Sequence, residues 1–436
     1  METDTTILHL GAFEISFFHT NHSVPESQGV VIKTPVGVIM HVPDYKFDWT
    51  PVMGKPFDVQ RALKLGGDNV LALLSDCLGA TNEGYTVSER GIEDTFDQIL
   101  DKSEGHQVFI TTVASNISRI SQAIRSAVKH NRRIVVAGRS LNQNILVAQN
   151  MGLLSFPQDV FVPDDKSSKE EQSGILYLVA GAYGQSGSAL WRIANGEHKT
   201  ISIDDGAAVI FSADPIPGVH DQVNAIIDHL TYRGAEVYYS QIQENLHVSG
   251  HGSQGDLLML AGIVKPKYYI PIGGTIHHMR AYRNMIEKMG VTKDRIFEWV
   301  EGQTLEFTPG MAKFGKPIET RNVFVDGGQV GEVGSVVIKD RQALSQDGVL
   351  VISVPYDKRE RRFIDRVQIV SRGFVYVKES QGLMNKVSGL ASNVVRRQAP
   401  GSDVMAAKND IEREVGHFLF KETGRNPVVL ASIVEI

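Results

Sequence analysis

Three short segments set histidine among small and polar residues at positions where strands should end. They are Asn21-His22-Ser23-Val24-Pro25-Glu26-Ser27, His247-Val248-Ser249-Gly250-His251-Gly252-Ser253-Gln254-Gly255, and Pro271-Ile272-Gly273-Gly274-Thr275-Ile276-His277-His278. Two acidic strand ends lie between the first and the second, Asp44 after Val42-Pro43 and Asp76 after Leu74-Ser75. Imidazole and carboxylate together ligate divalent cations and move protons near neutral pH. The second segment follows a strand and precedes a helix, so its small residues present backbone N–H groups and a positive helix end to an anion. His247, Ser249 and His251 add donors at alternate positions, and the functional reading is a phosphate pocket. The structural alternative is a turn whose small residues serve close packing alone.

Two other patterns are decoys. Gly250, Gly252 and Gly255 spell G-x-G-x-x-G, but the following strand ends Ile270-Pro271-Ile272-Gly273-Gly274 without the acid that a dinucleotide fold places on the ribose. Gly184-Gln185-Ser186-Gly187-Ser188 approaches a nucleophile elbow but carries serine at its fifth position. Neither nicotinamide binding nor serine hydrolysis is expected.

The elements that must position these groups change along the chain. Phe13 to Phe18, Val30 to Lys33 and Val38 to Val42 read as strands, the last two joined by the turn Thr34-Pro35-Val36-Gly37. Val70 to Leu74 is a short apolar run, as in a strand buried on both faces. Thr86 and Glu89 fit a capping box before a helix through Ile92, Phe96, Ile99 and Leu100. Strands and helices then alternate: a strand at Gln107 to Thr112, a helix from Asn116, a strand at Arg133 to Ala137, a helix from Ser140. Strands at Ile175 to Ala180 and Val209 to Ser212 and a helix at Val223 to Leu230 follow. Such alternation makes an open sheet with crossover helices. Helices at Leu257 to Val264 and Met279 to Met289 flank a strand at Tyr268 to Ile272. Beyond Gly310, Asn322 to Gly328 and Gly334 to Ile338 read as hairpin strands, before a long helix near Val404 to Phe420 and a strand near Val428 to Val434.

The 436 residues are enough for about three domains. One cysteine, Cys77, excludes a disulfide framework and a cysteine-rich zinc finger. A net charge of -6 excludes a global basic field, so any nucleic-acid contact must be local. The tracts at Lys129 to Arg133 and Lys358 to Arg362 are expected to be solvated faces. The start shows no secretory pattern, and no stretch approaches the roughly 18 apolar residues of a spanning helix. A soluble, cytoplasmic protein is expected.

Together the segments resemble the ribonuclease J family, which joins a metallo-β-lactamase fold to an inserted β-CASP domain. The matches run in order: N-H-S-V-P-E-S at 21 to 27, D-Y-K-F-D at 44 to 48, L-L-S-D at 73 to 76 and G-Y-T-V-S-E at 84 to 89. They continue with A-S-N-I at 114 to 117, G-R-S at 138 to 140, R-I-A-N-G-E-H at 192 to 198, V-I-F-S-A-D-P-I-P-G at 209 to 218 and H-V-S-G-H at 247 to 251. The resemblance implies an αββα sandwich, N-terminally incomplete in these residues, carrying an inserted β-CASP α/β domain and a small C-terminal α/β domain. The expected boundaries are 1–86 and 240–315 for the two metallo-β-lactamase parts, 87–239 for the β-CASP domain and 316–436 for the C-terminal domain. It further implies RNA as substrate, 5′→3′ exonucleolytic and internal cleavage by two zinc ions, work in mRNA decay and rRNA maturation, and assembly into dimers or tetramers. By the same resemblance His22 is a ligand to one zinc and Asp44 bridges both. His247, Ser249 and Gly250 line the phosphate pocket, Ser115 and Asn116 hold a neighbouring phosphate, His251 contacts the scissile phosphate, and Asp76 orients His251.

Departures from the family pattern bear on activity. The family's H-x-H-x-D-H motif does not occur in these residues, and Gly273 stands where the family carries its last zinc-ligating histidine. Pro43 replaces the glycine before the bridging aspartate. Only His22 and Asp44 remain as ligands, whereas a catalytic zinc takes about three protein ligands plus water. The expectation is a chain weak or inactive by itself; the alternative is a noncatalytic RNA-binding or regulatory subunit that pairs with an intact paralogue.

Overall fold

A computed structural model describes residues 6–157, 159–163, 173–216, 218–320, 323, 325–326, 329–330, 335–374 and 380–436. Internal contacts divide the chain into Met1–Glu319 and Thr320–Ile436.

The first unit begins with four antiparallel strands, β1 (Ile7–Leu10), β2 (Phe13–His19), β3 (Gln28–Thr34) and β4 (Gly37–Val42). Helix α1 (Val59–Gly66) crosses to β5 (Val70–Asp76), which lies parallel to β4. β5 is apolar along nearly its whole length because both of its faces are covered. The chain then leaves this sheet and builds another. After α2 (Gly91–Lys102) come β6 (Val108–Thr111), α3 (Ile117–Lys129), β7 (Arg133–Ala137), α4 (Arg139–Asn150) and β8 (Ile175–Val179). α5 (Ala189–Asn195), β9 (Ala208–Phe211), α6 (His220–Tyr232) and β10 (Glu236–Tyr238) complete it. This second sheet is wholly parallel, in the order β10-β9-β6-β8-β7. Its two faces carry separate cores, one around Ile120, Ile134 and Leu178 and the other around Phe109, Tyr177 and Val209.

The chain returns through α7 (Gln254–Val264) to β11 (Tyr268–Ile272), which pairs in parallel with β5, and continues into α8 (Ile276–Lys288). The first sheet therefore reads β1-β2-β3-β4-β5-β11. Phe18, Met40, Leu73, Leu260, Tyr282 and Ile286 form the core between this sheet and its helices. On the opposite face Leu71, Tyr268 and Ile270 pack on Phe297, Leu305 and Phe307, the last two from the hairpin of β12 (Leu305–Thr308) and β13 (Met311–Phe314).

Because the second sheet is inserted between β5 and β11, two distant loops meet where it departs and returns. Gly79 and Gly252 touch there: a Cβ on Gly79 would lie 2.0 Å from the Gly252 carbonyl oxygen. Gly79→Ala should therefore cost about 1–3 kcal/mol through forced backbone displacement, read as a lower urea midpoint. An unchanged midpoint would show that the two loops yield freely.

The second unit holds β14 (Val325–Asp326), β15 (Gln329–Val330) and α9 (Ser335–Asp347), then β16 (Val349–Asp357), β17 (Arg362–Phe363) and β18 (Gln368–Arg372). α10 (Gln381–Arg396), α11 (Val404–Thr423) and β19 (Val428–Glu435) follow. β19 lies parallel to β16, while β17 and β18 pair with it antiparallel. Leu350, Ile352 and Val354 on alternate positions of β16 meet Val387, Ile411 and Val415 of the two long helices.

Two local expectations are corrected. Residues 335–338 open a helix, not a strand, because Lys339 to Asp347 are mostly helix formers that carry the short apolar run with them; Asn322, Phe324, Gly327, Gly328 and Gly334 lie outside the described residues. Thr86 and Glu89 do not cap α2, whose N-cap is Arg90, because both are used in the site described next. The basic tracts are largely solvent-exposed, as expected, and of their members only Arg132 is buried. Lys129 pairs with Asp97, Arg132 donates to the carbonyls of Ser103, His106 and Ser173, and Lys358 pairs with Glu435. No described helix is long and apolar enough to cross a membrane.

A candidate phosphate and metal site

The carboxyl end of β5 delivers Asp76 into a buried position, where its Oδ1 accepts the Leu78 N–H at 2.9 Å. Its Oδ2 meets His251 Nδ1 at 2.6 Å, across 175 residues of sequence. Burial works against the charged form of His251. The hydrogen bond and charge of Asp76, with Asp44 adding to them, more than offset this and hold the imidazole above its ordinary value. The His251 side chain stays 24% exposed.

His22 leaves the turn after β2 and its ring stands edge-on to His251, with centroids 4.9 Å apart. His22 Nδ1 bonds the Gly250 carbonyl oxygen at 2.9 Å, and Nε2 lies 3.3 Å from Ser23 Oγ. Desolvation lowers its pKa, with the neighbouring His251 adding to the effect against the Gly250 bond and the nearby carboxylates. Gly250 is required for this approach, since a Cβ there would sit 2.8 Å from the His22 ring. Ser249 Oγ accepts the His251 N–H at 3.0 Å and so fixes the turn. His247 is half-buried; desolvation lowers its pKa, and its Nδ1 has no hydrogen-bond partner among the described residues.

Asp44 is exposed, so its carboxylate is solvated. Asp44, Asp76 and His251 each offer a ligand atom within 4.8 Å of the others, and no further histidine, cysteine or carboxylate joins them among the described residues. Gly273, in the left-handed region with φ +76°, faces the same spot: a Cβ there would lie 3.3 Å from Asp76 Oδ1. A pair of zinc ions needs more donors than these. His22 spends Nδ1 on a carbonyl, and Asp76 and His251 spend facing atoms on each other, so the donor set on hand does not fit a dinuclear centre. His277 and His278 do not fill the gap, since both rings bond Thr275 Oγ1 at the start of α8.

Ser115 and Asn116 sit at the carboxyl end of β6. The connections after β6 and β9 run in opposite directions, to β7 and β10, which opens a crevice between those strand ends. Ser115 is exposed there. Asn116 is buried and its Oδ1 caps α3 by accepting the Arg119 N–H at 3.0 Å, which leaves Ser115 as the accessible member of the pair.

Sequence reasoning missed the polar layer beneath the cleft. Lys46 lies 3.3 Å from Glu89 and 3.8 Å from Asp48, and Arg119 lies 3.8 Å from Glu89, all four side chains being almost wholly buried. Arg119 Nη1 also donates to the Ser212 and Leu246 carbonyls, both at 3.0 Å, tying β9 to the segment that carries His247. Thr86 Oγ1 donates to the His251 carbonyl, and Asp256 accepts from Thr86, Ser253 and Phe47. One signal was available: Ser253 and Asp256 have the capping-box spacing before α7, and they form that box.

The raised pKa of His251 has a testable sign. A group raised in the folded protein contributes stability fully below its unfolded value of about 6.5 and loses that contribution as pH rises through the folded value. Asp76→Asn removes the raising partner, so the His251 imidazole should titrate at lower pH in an NMR titration. An unshifted titration would show that Asp76 does not control this ring.

An open parallel sheet inserted between two neighbouring strands of a first sheet, with Asp and His facing each other where it departs and returns, defines a β-CASP protein of the metallo-β-lactamase fold. Comparison with known families agrees. Residues 105–230 match the ribonuclease J β-CASP domain, 234–295 the Zn-dependent metallo-hydrolase RNA specificity domain, and 336–436 the ribonuclease J C-terminal domain. The chain is 34% identical to ribonuclease J2 of Bacillus subtilis (strain 168) over 433 residues, covering 99% of this chain and 78% of that protein. It is 33% identical to ribonuclease J 1 of Streptococcus pyogenes serotype M3, covering 96% and 75%. Ribonuclease J of Helicobacter pylori (strain ATCC 700392 / 26695) is 30% identical, with 97% and 61% covered. The chain belongs to the ribonuclease J family.

Proposed function

We propose that this polypeptide serves RNA processing and decay by binding RNA in the cleft around His247 to His251, and that by itself it hydrolyses RNA weakly or not at all. The observation that carries the second half is Gly273, which faces Asp76 with no side chain to ligate. In this reading the imidazoles of His247 and His251, Ser249 and the backbone at Gly250 bind a phosphate, with Ser115 on the neighbouring one and Asn116 shaping the helix start beneath it. Asp76 orients His251, and the ring nitrogen that Asp76 does not hold would donate a proton to a departing oxygen. His22 and Asp44 are the remaining members of a zinc ligand set. Two zinc ions, where a full set holds them, would activate a water and neutralise phosphoryl charge.

The alternative is a noncatalytic RNA-binding or regulatory subunit that pairs with an intact paralogue; self-association as a dimer or tetramer belongs to the first reading. What favours either over an ordinary nuclease is a donor set short of a dinuclear centre beside an intact Asp76–His251 contact. Incubation of the purified chain with 5′-monophosphorylated RNA and added zinc or manganese should leave the RNA essentially intact. Rapid 5′→3′ degradation would overturn the proposal.

A further inference from the structure

Three stretches play no part in the cleft: Gly138-Arg139-Ser140, Gly184 to Ser188, and the segment that begins at Arg192. All three border one cavity of about 800 Å³ at the carboxyl ends of β6, β7 and β8. None of the residues lining it is acidic, although the chain as a whole carries -6. Arg139 and Arg192 both line it, and among the described residues neither side chain has a hydrogen bond or ion pair. This sets them apart from Arg119, Arg125, Arg132 and Arg283, all of which are engaged.

The walls fit the same ligand chemistry. Gly138 (φ +130°) and Gly181 (φ +121°) bring bare backbone to the rim, and a Cβ on either would strike Ala180 or Ser188 at 2.5 or 2.3 Å. α4 begins at the cavity wall from an N-cap, Gly138, that has no side chain to cap it, so the positive end of a twelve-residue helix borders the same cavity as Arg139 and Arg192. Tyr183 is half-exposed on the wall and offers a ring face. Arginine pairs with a helix end match phosphoryl oxygens, and an aromatic face beside them suits a base.

We propose that this cavity is a second phosphate-binding site, separate from the His247–His251 cleft, that takes the phosphoryl group of a nucleotide. The nucleotide comes either from an RNA strand or from a free nucleoside phosphate. The RNA source rests on the function proposed above, since the cavity wall at Thr112 to Ala114 runs directly into Ser115 of the cleft; the free source does not.

The test uses the full chain and the double variant Arg139→Gln/Arg192→Gln, whose substituted side chains are exposed and whose thermal melt should match the parent. Fluorescence anisotropy reads binding of a labelled short oligouridylate, and calorimetry reads adenosine 5′-monophosphate. An RNA source predicts roughly tenfold weaker oligouridylate binding in the variant, with a salt dependence shallower by about 1.4, at about 0.7 per phosphate contact. A free source predicts saturable adenosine 5′-monophosphate binding to the parent, lost in the variant, with oligouridylate affinity retained. Loss of both supports one site shared by the two. Unchanged affinity for both probes overturns the proposal. His247→Ala/His251→Ala leaves this cavity intact, so its effect on RNA binding reports on the cleft alone and separates the two readings.

Discussion

Arg119→Met should destabilise the protein by about 3–5 kcal/mol, read as a large drop in the urea midpoint. Arg119 is wholly buried, and its charge faces Glu89, which Lys46 also contacts. Removing one partner of a buried ion pair strands the other in a medium that solvates it poorly, and this costs more than the pair contributed. The loss spreads because the same guanidinium group holds the Ser212 and Leu246 carbonyls together. Those two acceptors flank the crevice, so RNA affinity should fall along with stability. Arg119→Lys keeps the charge but lacks the planar fork that reaches two carbonyls and Glu89 at once, and should recover only part of each. A methionine variant as stable as the parent would show that the polar layer is not what joins the inserted domain to the first sheet.

The second large effect concerns the cleft. His247→Ala/His251→Ala should weaken binding of 5′-monophosphorylated RNA by at least about tenfold, since each imidazole is expected to supply a charge-assisted or neutral hydrogen bond to phosphate. Both side chains are only partly buried, so the variant should fold. The pH dependence identifies which ring dominates. His251 is held cationic to higher pH by Asp76, whereas burial keeps His247 neutral, so affinity should decline as pH rises through the raised value of His251. Anisotropy titrations at several pH values would show this decline. Flat affinity across neutral pH in the parent, or equal affinity in the double variant, would place the RNA elsewhere.

Much of the architecture was legible because apolar periodicity reports burial directly. β5, β6 and β8 are nearly continuous apolar runs and proved to be strands covered on both faces. The contact between Asp76 and His251 could be read only through family resemblance, since 175 residues separate them and no local pattern links them. The buried Lys46, Asp48, Glu89 and Arg119 were not legible. A charged residue in a sequence carries no mark of whether its partner waits across a fold, and Glu89 looked like half of a helix cap because its spacing from Thr86 fits one. Residues 335–338 failed for a related reason: a three-residue apolar run has no period of its own, and the residues after it decided the conformation. Arg139 and Arg192 stood only in separate family-matching segments, because only the sheet order brings them to one cavity.

The proposed function requires that the cleft keep its phosphate-handling groups while the described residues fall short of the ligands for two metal ions. The most direct measurement is the zinc content of the purified chain by elemental analysis, after equilibration with zinc and removal of the unbound ion. The donor set of Asp44, Asp76 and His251, with His22 Nδ1 engaged by the Gly250 carbonyl and Gly273 silent, predicts fewer than two equivalents per chain. Two tightly held equivalents would contradict it.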